Sequence, residues 1–179
     1  MSPIRTIRAL VVAVLTTSFV LPVGAVAASP VKAGGVIASF EGAWINLAEG
    51  WGDATACTSD GFTTQCFPTE QAMDATTSAR VLSTQIVPQA SCASSLRLYR
   101  STAFGGAVLQ LSTRSVYINL SSYGFDNDTS SFKVGACDSY FYDGASGGTP
   151  LYTGTTTANS SATSMLSGWD NRVSSVYIA

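Results

Sequence analysis

The chain has 179 residues with 9 Lys and Arg against 11 Asp and Glu, a net charge of −2; only 11 % are charged and none is histidine. The missing histidine excludes Ser-His-Asp and Cys-His nucleophiles and His-bearing metal sites. Because no basic residues cluster, nucleic acid and anionic membrane surfaces are not expected partners.

In chain order, Arg5 and Arg8 precede the apolar run Ala9-Leu10-Val11-Val12-Ala13-Val14-Leu15, and small residues follow at Ala25-Val26-Ala27-Ala28. This is the pattern of a secretory signal peptide over residues 1–28, its apolar run too short and too early to span a bilayer. A secreted, extracellular product is expected, with 7 basic against 11 acidic residues and a net charge of −4 once Arg5 and Arg8 are gone.

Residues 29–91 read as an N-terminal extension. A leader with Ser29-Pro30 and Gly34-Gly35 comes first, then the strand-like Ala43-Trp44-Ile45-Asn46-Leu47 and a turn through Asp53. Cys57 and Cys66 flank a segment whose Asp60-Gly61 is a good hairpin turn. Pro68 and Thr69 open a short capped helix over residues 69–75, and residues 80–91, including Pro88, read as a linker. Glu41, Glu49 and Asp53 lie near Trp44 and Trp51, as in carboxylate-and-aromatic sugar hydrolases, but tryptophans of a small hairpin are more often core and scattered acids its solvent face. Four cysteines in an exported chain imply two disulfides. Three connectivities are open; the hairpin favours Cys57 with Cys66, leaving Cys92 with Cys137.

Residues 92–179 contain a repeat. Asp126-Asn127-Asp128-Thr129-Ser130-Ser131 and Asp170-Asn171-Arg172-Val173-Ser174-Ser175 share the pattern [ND]-[ND]-x-x-[ST]-S, and Gly105-Gly106 aligns with Gly147-Gly148. The first unit offers strand-like segments at 96–99, 107–111, 116–120 and 131–134; the second offers 139–142, 150–153, a poorly defined segment near Ser164-Met165-Leu166, and 175–178. Four short strands twice over, each unit with one apolar face to bury, predict an all-β fold of two Greek-key motifs packed as a β-sandwich. The strand and turn at 43–53 echo 116–126, with Ala54 where Asn127 would stand. The two acidic turns each gather carboxylate, amide, hydroxyl and carbonyl oxygens, which suits a hard cation such as calcium; the alternative is a pair of Asx-turns that need no ion.

Tyr99-x-x-x-x-Phe104-x-Gly106 and the two acidic turns resemble the βγ-crystallin domain in its calcium-binding microbial form, over about half of the chain. The resemblance implies two neighbouring calcium sites that exchange ligands between the repeats. Its ligands would be the side chains of Asn127 and Ser130 with the Asp128 carbonyl, and those of Asn171 and Ser174 with the Arg172 carbonyl. Asp126 and Asp170 would ligate or brace the turns. Ser146 stands where the second hairpin signature would have an aromatic, and asparagine at both second turn positions leaves little formal charge, so affinity is expected at about 10⁻⁴ M or poorer. A non-enzymatic, monomeric, calcium-binding protein is expected. The alternative is a secreted protease inhibitor, since the chain is similar to bacterial metalloproteinase inhibitors in export, cysteines and hairpin signature; the 59–62 tip or the turn near Cys137 would be its loop.

Overall fold

The structure, a computed structural model, describes residues 34–83 (side chains to residue 79), 95–152 and 156–179. The expected signal peptide, the linker from residue 84 on, Thr153 and Cys92 lie outside the described residues.

Among the described residues, twelve strands form two sheets. The N-terminal part supplies β1 (Ile37–Phe40), β2 (Ala43–Asn46), β3 (Ala56–Ser59) and β4 (Thr64–Phe67). The first repeat supplies β5 (Leu96–Ser101), β6 (Gly105–Leu111), β7 (Tyr117–Asn119) and β8 (Ser131–Lys133). The second supplies β9 (Ser139–Asp143), β10 (Thr149–Leu151), β11 (Ser161–Ala162) and β12 (Ser175–Ile178). One sheet runs β11-β8-β5-β6-β3-β4-β1-β2 and the other β10-β9-β12-β7. Each repeat therefore keeps three strands together and lends its third to the other repeat's sheet, which ties the two Greek keys into one sandwich. The third strand of the second repeat lies at Ser161–Ala162, upstream of the expected 164–166, where Met165 is instead a buried plug.

Alternation decides what is buried. Leu96 and Leu98 of β5, Leu109 and Leu111 of β6, and Phe132 of β8 point inward, opposite Ile118, Phe141, Val176 and Ile178 of the second sheet. Phe132 meets Phe141 edge to face across the sheets at 4.8 Å between ring centroids. Burying each such side chain contributes about 1.5–3 kcal/mol.

The N-terminal strands extend the first sheet, β3 pairing parallel with β6 through Ala56↔Val108, Cys57↔Leu109 and Thr58↔Gln110. Cys57 and Cys66 face each other across the β3–β4 hairpin and form a disulfide. Cys137 is buried and disulfide-bonded. The helix α1 (Glu70–Ser83) runs beyond the expected residue 75, because no Gly or Pro interrupts the sequence before Pro88. Its start is capped by Thr69, whose Oγ1 accepts from the Ala72 amide at 3.1 Å. Met73 is fully buried against Ala56, Phe67, Tyr99 and Val108, so the helix covers the outer face of the sheet with a second small core. Arg97 of β5 donates to Glu70 at 2.7 Å and Asp74 at 2.5 Å, pinning the helix from below.

Candidate functional site

The two acidic turns meet. The first lies between a 3₁₀ turn at Leu120–Tyr123 and β8, the second between β11 and β12. Because β8 and β12 occupy equivalent places in the two repeats, their preceding turns come together under a pseudo-twofold relation. Hydrogen bonds follow it pairwise: the Asn127 amide donates to Val173 O at 3.0 Å, and the Asn171 amide to Thr129 O at 3.1 Å. Ser174 Oγ lies 3.1 Å from Asn127 Oδ1, and Ser130 Oγ lies 3.3 Å from Asn171 Oδ1. Asn127 and Asn171 sit in the left-handed region, at φ 55° and 54°, a conformation that asparagine tolerates better than most residues.

Each cross-turn pair thus joins an amide oxygen of one repeat to a hydroxyl of the other. Two ligands of one calcium ion, each about 2.3–2.6 Å from it, stand at most about 5 Å apart, and both pairs satisfy this. The donor set is all oxygen and almost all neutral, which fits a hard cation held weakly. Thr129 Oγ1, within the first turn, is buried without a hydrogen-bond partner. Among the described residues no three or more His, Cys, Asp or Glu side chains form a metal cluster, so a cation here would depend on amide, hydroxyl and carbonyl oxygens.

The charged members sit differently. Asp126 and Asp170 are exposed, and Asp170 Oδ2 accepts weakly from Asn171 Nδ2 at 3.4 Å. Asp128 Oδ2 lies 2.7 Å from Arg100 Nε, an ion pair without the alignment of a hydrogen bond. Burial pushes the Asp128 carboxyl up from its ordinary value, with the Arg100 charge working against it. Arg100 is itself stacked at 5.0 Å over Trp51 and 5.1 Å over Phe125. In the second repeat Arg172 pairs with Asp143 through Nη2 and Nε. Arg100 near the end of β5 and Asp143 at the end of β9 hold equivalent positions, as do Asp128 and Arg172 in the turns, so the two repeats carry the same ion pair with its charges exchanged.

Sequence reasoning missed this exchange. Its signal was available: in the register of the repeats, Arg100 falls opposite Asp143 and Asp128 opposite Arg172.

The hairpin register also needs correction by one residue. Ser131 Oγ donates to Ser101 O and accepts from the Phe104 amide at 3.1 Å, as Ser175 Oγ donates to Gly144 O and accepts from the Gly147 amide at 3.1 Å. Gly147, not Ser146, is therefore the counterpart of Phe104. Phe104 packs on Tyr99 at 5.5 Å; its absence in the second repeat is filled by Tyr117 of β7, which packs on Tyr142 at 5.5 Å. A Cβ at Gly147 would come within 2.5 Å of the Tyr117 ring, so glycine there makes room for the borrowed aromatic.

Among the described residues Glu41, Glu49 and Asp53 do not form a three-acid cluster, and the two tryptophans near them lie in different environments. Trp51 is buried and donates from Nε1 to Tyr123 O at 2.7 Å, whereas Trp44 is 75 % exposed on β2.

No family model matches the chain, and no curated protein does. Among solved structures, the chain is similar to a βγ-crystallin from Ciona intestinalis, at 21 % identity over 48 % of this chain and 99 % of that one, with a TM-score of 0.40. It is also similar to the N-terminal domain of Protein S, at 22 % over 48 % and 96 %, TM-score 0.39. A βγ-crystallin domain from Flavobacterium johnsoniae matches at 19 % over 47 % and 92 %, TM-score 0.36.

Proposed function

We propose that this chain is a secreted, non-enzymatic protein that binds calcium weakly at its two joined turns, and that the ions stabilise the sandwich. The reading rests on one observation, the reciprocal approach of Asn127 to Ser174 and of Asn171 to Ser130. An ion held between the repeats would be bound only by the folded chain, so linkage adds about 2.7 kcal/mol of stability at a hundredfold excess over Kd. Asn127, Ser130, Asn171 and Ser174 would hold the ions with the Asp128 and Arg172 carbonyls; Asp126 and Asp170 would supply charge from the rim. The test is calorimetric titration of the full chain with calcium, beside melting curves in calcium and in chelator. A melting temperature that does not respond to millimolar calcium, with no binding heat, would end this reading.

A second reading, secreted protease inhibitor, draws on the β3–β4 hairpin. The disulfide and the Asp60 carboxylate, which accepts from the Phe62 and Thr63 amides at 2.9 and 2.7 Å, brace a tip whose Phe62 is 98 % exposed. A rigid loop with an exposed apolar side chain can enter an enzyme cleft at low entropic cost. Titration against a thermolysin-like protease decides it: undiminished hydrolysis at stoichiometric protein disposes of the idea.

A further inference from the structure

The outer face of the larger sheet carries a row of side chains that neither reading uses. The strand registers align Trp44 with Ser39, Ser39 with Gln65, Gln65 with Thr58, and Thr58 with Gln110. These five residues lie on neighbouring strands and on one face. A groove of about 340 Å³ follows the first part of the row, lined by Trp44, Ser39, Gln65 and the flanking Ile37, Phe62 and Thr63. A second groove, of about 210 Å³, continues it past Thr58 and Gln110 to Thr77 of α1. Thr63 and Gln65 line both, so the two grooves adjoin there and together trace a furrow across the sheet.

We propose that this furrow binds a neutral oligosaccharide, with Trp44 as the stacking platform and Ser39, Gln65 and Thr58 as the hydrogen-bonding floor. Three features select this ligand. The aromatic surface is exposed where an apolar side chain gains nothing from the fold: Trp44 is 75 % and Phe62 98 % exposed, both at one end of the furrow. The floor consists of hydroxyl and amide groups, which both donate and accept, the capability that sugar hydroxyls require. Among the described residues, the groove around Trp44 has no charged residue in its lining, and Asp60, the one charged residue lining the second groove, already accepts from the Phe62 and Thr63 amides and the Thr63 hydroxyl. A charged ligand would lose hydration there without gaining a counter-charge.

From Trp44 on β2 to Gln110 on β6 the furrow crosses four inter-strand spacings, about 19 Å at about 4.8 Å each, the length of a short oligosaccharide rather than a single sugar. The disulfide and the Asp60 contacts hold the Phe62 wall in place before any ligand arrives, which lowers the entropic cost of binding. The site is separate from the paired turns, so sugar binding does not depend on calcium.

The experiment titrates the full chain with cellohexaose, chitohexaose and mannohexaose, by calorimetry and by tryptophan emission, in chelator and in calcium. At least one neutral oligosaccharide binds equally in both solutions. Trp44→Ala weakens it at least about tenfold, a loss of about 1.4 kcal/mol, Trp44→Phe restores part of the loss, and Gln65→Ala weakens it several-fold, all with unchanged melting temperature for the Trp44 variants. Two outcomes overturn the proposal: no binding of any of the three at millimolar concentration, or binding that Trp44→Ala leaves intact.

Discussion

Asn127 and Asn171 each carry two burdens: a left-handed backbone and a side-chain oxygen aimed at the opposite turn. Replacement by glycine separates them, because glycine accepts the backbone without strain and removes the oxygen. We expect Asn127→Gly and Asn171→Gly to melt near the parent temperature in chelator and, combined, to lose the calcium-induced shift, read by calorimetric melting. The exchanged ion pairs suggest a second test. Arg172 places a cation at the turn position where the first repeat has Asp128, so the double variant Asp143→Arg with Arg172→Asp gives both repeats one polarity. These groups are part exposed, so stability in chelator should change by less than about 1 kcal/mol. Calcium affinity at the Asn171 turn should rise, measured by the same titration. Asp60 sets a pH dependence. Burial alone would raise its pKa, but hydrogen bonds from the Thr63 and Phe62 amides and the Thr63 hydroxyl outweigh it and hold the carboxyl below its ordinary value. A depressed folded value stabilises above the unfolded pKa and is lost as pH falls through the folded one. Asp60→Ala should therefore lower the melting temperature at neutral pH, with the gap to the parent closing in strong acid.

Among the elements, the β3–β4 hairpin and α1 form the outer cover of the larger sheet. Cys57 and Cys66 are 9 positions apart, a loop whose closure contributes about 2–3 kcal/mol by the chain-entropy argument. The double variant Cys57→Ser with Cys66→Ser should lose about that much in a denaturant titration. The hairpin of the second repeat shows how one element can complete another. Tyr117 of β7 supplies the ring that Gly147 lacks, and it does so because β7 is lent to the second repeat's sheet. Nothing in the local sequence of residues 139–151 discloses that ring; only the strand exchange brings it there.

For the whole molecule, the eight-stranded sheet makes residues 34–83 part of the same layer as the first repeat. Removing them would turn β6 into an open edge and uncover Tyr99 and Val108, which now pack with Ala56, Phe67 and Met73. Open edges invite pairing with other chains. A fragment of residues 92–179 should therefore melt below the chain that retains residues 34–91 and should self-associate in size-exclusion chromatography at concentrations where the longer chain does not.

Periodicity two, the turn residues and the doubled acidic pattern made the all-β class, the two Greek keys and the Cys57–Cys66 hairpin legible in the sequence alone, because each is written in neighbouring residues. The two acidic turns could be picked out for the same reason, as six-residue patterns with a full oxygen inventory. Tertiary structure decided what depends on partners distant along the chain: the pairing of Asn127 with Ser174, the exchanged Arg100–Asp128 and Asp143–Arg172 pairs, and the row from Trp44 to Gln110. These contacts join residues brought together by strand order, and a linear sequence fixes strand order only through the summed burial of a core in which no short segment has a decisive share.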